Sequence, residues 1–69
     1  MAEIRLNDTD LQLLECLAEG RNVPANIADE LDFSRQYIQQ RLKRLEEHGY
    51  VQNIGRGVYE LVSDPRDEQ

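Results

Sequence analysis

The sequence predicts a mainly α fold closed by a small β-hairpin: three helices in succession, then two short strands. Three observations lead there. Apolar residues recur at helical spacing in three segments, each opened by a residue suited to start a helix. After Gly49 the apolar period shortens from helical to alternating. A glycine-flanked tip, Gly55-Arg56-Gly57, separates the two alternating runs, as a hairpin turn requires.

The first helix starts behind Asn7. Asn7 is a candidate N-cap, Asp10 stands three residues on, and Leu6 and Leu11 can close a hydrophobic staple around the start. Asp8 and Asp10 also suit the positive end of the helix dipole. Leu11, Leu13, Leu14, Leu17 and Ala18 then fall on one broad face, opposite Gln12, Glu15 and Glu19, until Gly20 stops the helix. Arg21-Asn22-Val23 makes a brief extended link. Pro24 opens a second helix, where its missing N–H does no harm, and Ile27, Ala28 and Leu31 form the apolar stripe. A tight turn at Asp32-Phe33 leads to Ser34, the cap of a third helix ended by Gly49. That helix turns Ile38, Leu42 and Leu45 inward. Tyr50–Ile54 and Val58–Val62 are the strands, with Val51, Tyr59 and Leu61 on a shared inner face. Ile4-Arg5-Leu6 is a further candidate, a short edge strand.

Sixty-nine residues point to one domain over residues 1–69, with a core of about 7–62 and a frayed acidic tail at 63–69. A chain of this length buries only about three-fifths of its unfolded surface, so the core is small. The hydrophobic fraction of 39% suits a packed fold rather than disorder. Cys16 is the single cysteine, which fits a reducing cytoplasm. No apolar run approaches a membrane span and no basic-then-apolar leader opens the chain, so a soluble, cytoplasmic protein is expected.

Charge is distributed unevenly. The net charge is -6, yet Phe33–Leu45, FSRQYIQQRLKRL, holds four of the eight cationic residues and none of the fourteen acids. Met1–Asp32 carries a net -6, Phe33–Tyr59 a net +3 and Glu60–Gln69 a net -3. An acidic body frames a basic middle, and a helix kept free of acid suits a surface that lies against phosphate. Only one of the eight cations is lysine. That bias, with abundant Asp and Glu, fits a high-salt cytoplasm, where net charge keeps proteins soluble and salt screens self-repulsion. An ordinary acidic bacterial protein is the plainer alternative.

Helix, short helix, tight turn, longer helix and hairpin is the order of a winged helix-turn-helix. The segment VPANIADELDFSRQYIQQRLKRLEEHGYV resembles that family closely. Ile27-Ala28 and Leu31 match in the second helix, Ser34 at the cap, and Ile38, Leu42 and Leu45 in the third. Leu45-Glu46-Glu47-His48-Gly49-Tyr50-Val51 matches the passage into the wing. The resemblance runs from about Asn7 to Val62. The acidic, arginine-preferring version is similar to the small repressors of haloarchaea, including the repressor of the haloarchaeal phage phi-H and its chromosomal relatives. The resemblance implies a three-helix winged helix-turn-helix that binds double-stranded DNA as a transcriptional regulator, a repressor that occupies a promoter. A homodimer on two half-sites is expected, because one module buries little surface. The first helix and the terminal segments are candidates for the dimer contact by elimination. The wing departs from the family in being short, so its single arginine is expected to stop at a phosphate.

With Ile38 inward, Gln36, Gln40 and Lys43 point away from the core, flanked by Gln39, Arg44 and Tyr37. This is the face a major groove receives. Glutamine pairs bidentately with adenine and arginine with guanine. Gln36 and Gln40 lie one turn apart and can address neighbouring base pairs. Arg35, in the first turn of helix 35–48, stands where recognition helices meet base edges. Lys43 and Arg44 suit phosphates, Ser34 and Tyr37 can hydrogen-bond one, and Arg56 is the wing contact. Arg41 falls nearer the core side, where an acid of the first or second helix can pair with it. Plainer readings stand beside these. A glutamine-rich face is often only solvated, Lys43 can pair with Glu47, and Tyr37 suits packing at the core's edge equally well. The absence of acid from Phe33 to Leu45 favours DNA. High salt weakens counterion release, so three glutamines on the groove face suit it better than many lysines.

The other residues fit structural roles. Cys16 borders the apolar face of the first helix. His48 suits a helix C-terminus and has no His or Cys at ligand spacing, so no metal is expected. No nucleophile–base pair, phosphate loop or paired carboxylates point to catalysis, a cofactor or a small-molecule effector. The alternative function is a winged-helix protein–protein interaction module, with the acidic surface as its working face.

Overall fold

The structure, a computed structural model, describes residues 6–64. Its elements are α1 (Asp8–Ala18), α2 (Pro24–Leu31), α3 (Arg35–Glu47), β1 (Val51–Gly55) and β2 (Val58–Leu61). The expected fold class, mainly α with a small β-hairpin, is the one observed. Of the candidate strand Ile4-Arg5-Leu6 only Leu6 is among the described residues, and it lies in no strand. Of the tail at 63–69 the described part is not frayed, since Ser63 and Asp64 are half-buried and the Ser63 N–H donates to the Tyr50 carbonyl at 3.1 Å.

α1 begins with a capping box. The Asn7 side chain accepts a hydrogen bond from the Asp10 N–H at 2.7 Å, and the Asp10 carboxylate accepts one from the Asn7 N–H at 3.1 Å. α2 starts on Pro24 and ends at Asp32, which adopts a left-handed conformation (φ 63°) that a short polar residue tolerates. Ser34 caps α3 by accepting from the Tyr37 N–H at 3.1 Å. The end of α3 is a Schellman turn: Gly49 N–H donates to the Glu46 carbonyl and Tyr50 N–H to the Leu45 carbonyl. Gly49 supplies the positive φ of 80° that the turn needs. Expected at 35–48, the helix itself ends at Glu47, and His48 is its C-cap.

The core is a cluster of buried side chains from every helix and β1: Leu13, Leu14 and Leu17; Ile27 and Ala28; Ile38, Leu42 and Leu45; and Val51. Leu31, Tyr50, Tyr59 and Leu61 cover its margin. Each large apolar side chain fully removed from water contributes roughly 1.5–3 kcal/mol. The apolar face of α1 is narrower than expected. Leu11 is 38% exposed and Ala18 is also exposed, whereas Asp10 is 0% exposed. At 3.6 residues per turn, Asp10 shares a row with Leu13, Leu14 and Leu17, while Leu11 and Ala18 lie a quarter turn or more to the side.

The hairpin is antiparallel, pairing Val51 with Leu61, Gln52 with Glu60 and Asn53 with Tyr59. Its strands sit slightly off the expected limits, since Tyr50 and Val62 fall outside them and Gly55 falls within β1. A register irregularity between Asn53 and Gly55 lets a two-residue turn, Arg56-Gly57, close the loop. Both turn residues have positive φ, 54° and 76°, which matches the twist of the strands. The link before α2 joins the sheet: Asn22 and Tyr59 exchange backbone hydrogen bonds of 3.0 and 2.8 Å. This contact fixes the start of α2 against the hairpin.

Candidate nucleic-acid interface

α3 carries the expected contact residues on a surface open to solvent. Ser34, Arg35, Gln36, Gln39, Gln40, Lys43, Arg44 and Arg56 are all exposed. Arg35, Gln39 and Lys43 stand on successive turns and line one wall of a groove of about 500 Å³. Val23, Pro24 and Ala25 at the start of α2 form a second wall. The hairpin contributes the third, with Asn53, Arg56, Gly57 and Tyr59. The Asn22–Tyr59 bridge holds the last two walls together. Arg35, Lys43 and Arg56 thus face one concave space from two elements, with Glu46 as the carboxylate among its lining residues. Gln36, Gln40 and Arg44 occupy neighbouring exposed rows of α3 and do not line the groove.

Three helices, a tight turn between the second and third, and a hairpin flanking the third are now placed. A family model described as winged helix-turn-helix DNA-binding matches residues 6–52. The chain belongs to the winged helix-turn-helix DNA-binding family. No curated protein and no solved structure gives a significant match. In this winged helix, α2 and α3 are the helix-turn-helix pair, α3 the recognition helix, and β1–β2 the wing. The family match covers only the first two residues of β1, so the wing's register comes from the structure alone.

Charge pairing leaves the outward face of α3 uncovered. Among the described residues, ion pairs join Arg41 to Asp10 and Arg21 to Glu60 at 3.6 Å. The Lys43–Glu47 pair that the spacing allows is not among them. Arg41 pairs with an acid of the first helix, as its place near the core side of α3 implies. It reaches back to α1, its Nε donating to Asp10 Oδ1 at 2.7 Å and its Nη2 to Asp10 Oδ2. The hydrogen bond to Asp10 raises the guanidinium pKa above its ordinary value, so Arg41 stays charged. The four cations of Phe33–Leu45 therefore divide. Arg41 fastens the recognition helix to the body, and Arg35, Lys43 and Arg44 remain outside the ion pairs.

Tyr37 and Ser34 have structural roles in the winged helix. The half-buried Tyr37 packs on Phe33, ring centroids 5.5 Å apart, and its hydroxyl accepts from Asn7 Nδ2 at 3.4 Å. That places it on the α1 side of the recognition helix, away from the groove. Ser34 spends one acceptor on its cap, and its hydroxyl proton remains to donate to a ligand.

The groove residues not foreseen from sequence are Asn53, Tyr59 and the Val23-Pro24-Ala25 wall. Only the alternation of the hairpin and the extended character of residues 21–23 hinted at them. His48 Nδ1 lies 3.0 Å from the Arg44 carbonyl, and its ring stacks on Tyr50. No group of three potential metal ligands occurs among the described residues, nor a helix long and apolar enough to cross a membrane.

Cys16 sits between α1 and α2, its thiol donating to Glu30 Oε2 at 3.7 Å. Partial burial, then the Glu30 charge, pushes its pKa up. The nucleophilic thiolate is therefore scarce near neutral pH. Iodoacetamide at pH 8 is expected to modify Cys16 more slowly in the native chain than in the urea-unfolded chain. Equal rates in the two states would contradict this environment.

Proposed function

We propose that the protein is a sequence-specific transcriptional regulator of double-stranded DNA from a high-salt archaeal cytoplasm. It acts as a repressor by occupying a promoter, and binds as a homodimer with α3 of each copy in a major groove. Half-sites one helical turn apart, about 34–36 Å, follow from that arrangement. One observation carries the reading. In a chain of net charge -6, the exposed rows of α3 are acid-free from Arg35 to Leu45, and one of them, Arg35, Gln39 and Lys43, lines a groove that shares a cationic wing tip. Arg35 and Gln39 in the groove, with Gln36 and Gln40 beside them, have the chemistry to read base edges. Lys43, Arg44 and Arg56 suit phosphates, with Ser34 and the more remote Tyr37 as hydrogen-bonding neighbours of the backbone. The arginine bias of the surface supports the haloarchaeal setting and the likeness to haloarchaeal repressors.

The test is selection of a duplex from a random pool by the native chain in high salt, followed by affinity measurements. Arg35→Ala and Gln40→Ala are each expected to lower discrimination by about 1–3 kcal/mol, at positions specific to each residue, with the fold intact. Arg56→Ala is expected to weaken all duplexes alike and to reduce the salt slope by about one. The salt slope of the native chain should be shallow, because few cations meet phosphate. A steep slope counts against the high-salt adaptation. Failure to bind any duplex across salt conditions overturns the regulator reading and favours a protein-interaction module.

A further inference from the structure

Glu46 joins the recognition helix to the wing. Its Oε2 accepts a hydrogen bond from the Asn53 backbone N–H at 3.2 Å. β1 has one strand neighbour, β2, so this N–H belongs to the other, open edge of the sheet. Asn53 passes the connection onward: its Oδ1 accepts from the Gly55 N–H at 2.9 Å. Arg56 follows directly, in a turn whose φ of 54° leaves its backbone little freedom. Two hydrogen bonds in series therefore run from the last turn of α3 to the residue before the wing's arginine.

A carboxylate is otherwise ill placed here. It meets the negative end of the α3 dipole, and it stands in a groove suited to phosphate. What it supplies is an acceptor for a strand-edge donor. Resting on the DNA-binding reading above, we infer that Glu46 is a positioning residue. It latches the wing to the recognition helix and so sets where Arg56 meets the duplex backbone.

Two neutral variants separate the latch from simple charge repulsion. Glu46→Gln keeps an acceptor and loses the charge, whereas Glu46→Ala loses both. Thermal melts establish that each is folded. In the free full-length chain, the Asn53 amide is expected to exchange about tenfold faster in Glu46→Ala than in Glu46→Gln. On the duplex selected by the native chain, Arg56→Ala should cost its full effect in the Glu46→Gln background and almost nothing in Glu46→Ala, where the tip is no longer held. The salt slope should follow the same pattern, falling by about one only in the Glu46→Gln background. Equal Asn53 exchange in the two variants overturns the latch. Equal cost of Arg56→Ala in both backgrounds overturns its role in binding. If the native chain selects no duplex, the regulator reading fails and takes this role with it, while the Asn53 exchange still decides whether the latch exists.

Discussion

Asp10→Ala is expected to destabilise the protein by about 3–5 kcal/mol, the range for removing one member of a buried ion pair. Asp10 is 0% exposed, and its carboxylate accepts from the Asn7 N–H and from two nitrogens of Arg41. Alanine removes all of these bonds. It leaves the Arg41 guanidinium, whose side chain is 22% exposed, beside the core without its partner. It also removes the half of the α1 capping box that the Asp10 side chain makes, while the Asn7 cap on the residue-10 N–H stays. A small domain has a total stability of roughly 5–15 kcal/mol, so a loss of this size removes a large share of it. Urea unfolding measures the effect as a drop in midpoint. Joint replacement of Asp10 and Arg41 by leucine and methionine should recover most of the loss, because two apolar residues leave no orphaned charge. A loss under 1 kcal/mol for Asp10→Ala would show that water already solvates the pair.

Leu42→Ala is expected to cost about 2–5 kcal/mol, and Gln40→Ala almost nothing. Leu42 is 0% exposed at the centre of α3's inward row, between Ile38 and Leu45. Truncation leaves a cavity among residues from all three helices, which cannot close without moving them. Gln40 is exposed, and no hydrogen bond fixes its side chain among the described residues. The contrast tests the orientation of the recognition helix without any DNA. Similar midpoints for the two variants would mean that α3 is turned the other way, and the face proposed to meet base pairs would be the buried one.

Much of this architecture is legible in local sequence. Asn7, Pro24, Ser34 and Gly49 each act within a few residues, through a cap, a fixed φ or a positive φ. They mark the helix limits to within about one residue of those observed. The inward row Ile38, Leu42 and Leu45 follows from spacing alone. Asp10 was harder to place. Its role in the capping box is local and readable, but its burial depends on Arg41, thirty-one residues away. The spacing of Asp10 from Leu13, Leu14 and Leu17 puts it on the inward row, but nothing local supplies the partner that a buried carboxylate needs. The groove was legible in part. Helical spacing puts Lys43 and Gln39 outward but centres that face on Gln36 and Gln40, which do not line the groove, and Asn53 and Tyr59 enter it only through the register of the hairpin.

The order of amino acids alone settles the number and kind of elements, the face of each helix that avoids water, and the acid-free stretch of α3. These rest on interactions within a turn or two of chain, or on the periodicity of burial. Packing decides which cation of α3 is structural and which are presented outward. It also brings Asn22 beside Tyr59 and ties the wing to Glu46. Those outcomes depend on contacts between residues distant in the chain, whose free energy exists only once the core has fixed the helices against one another.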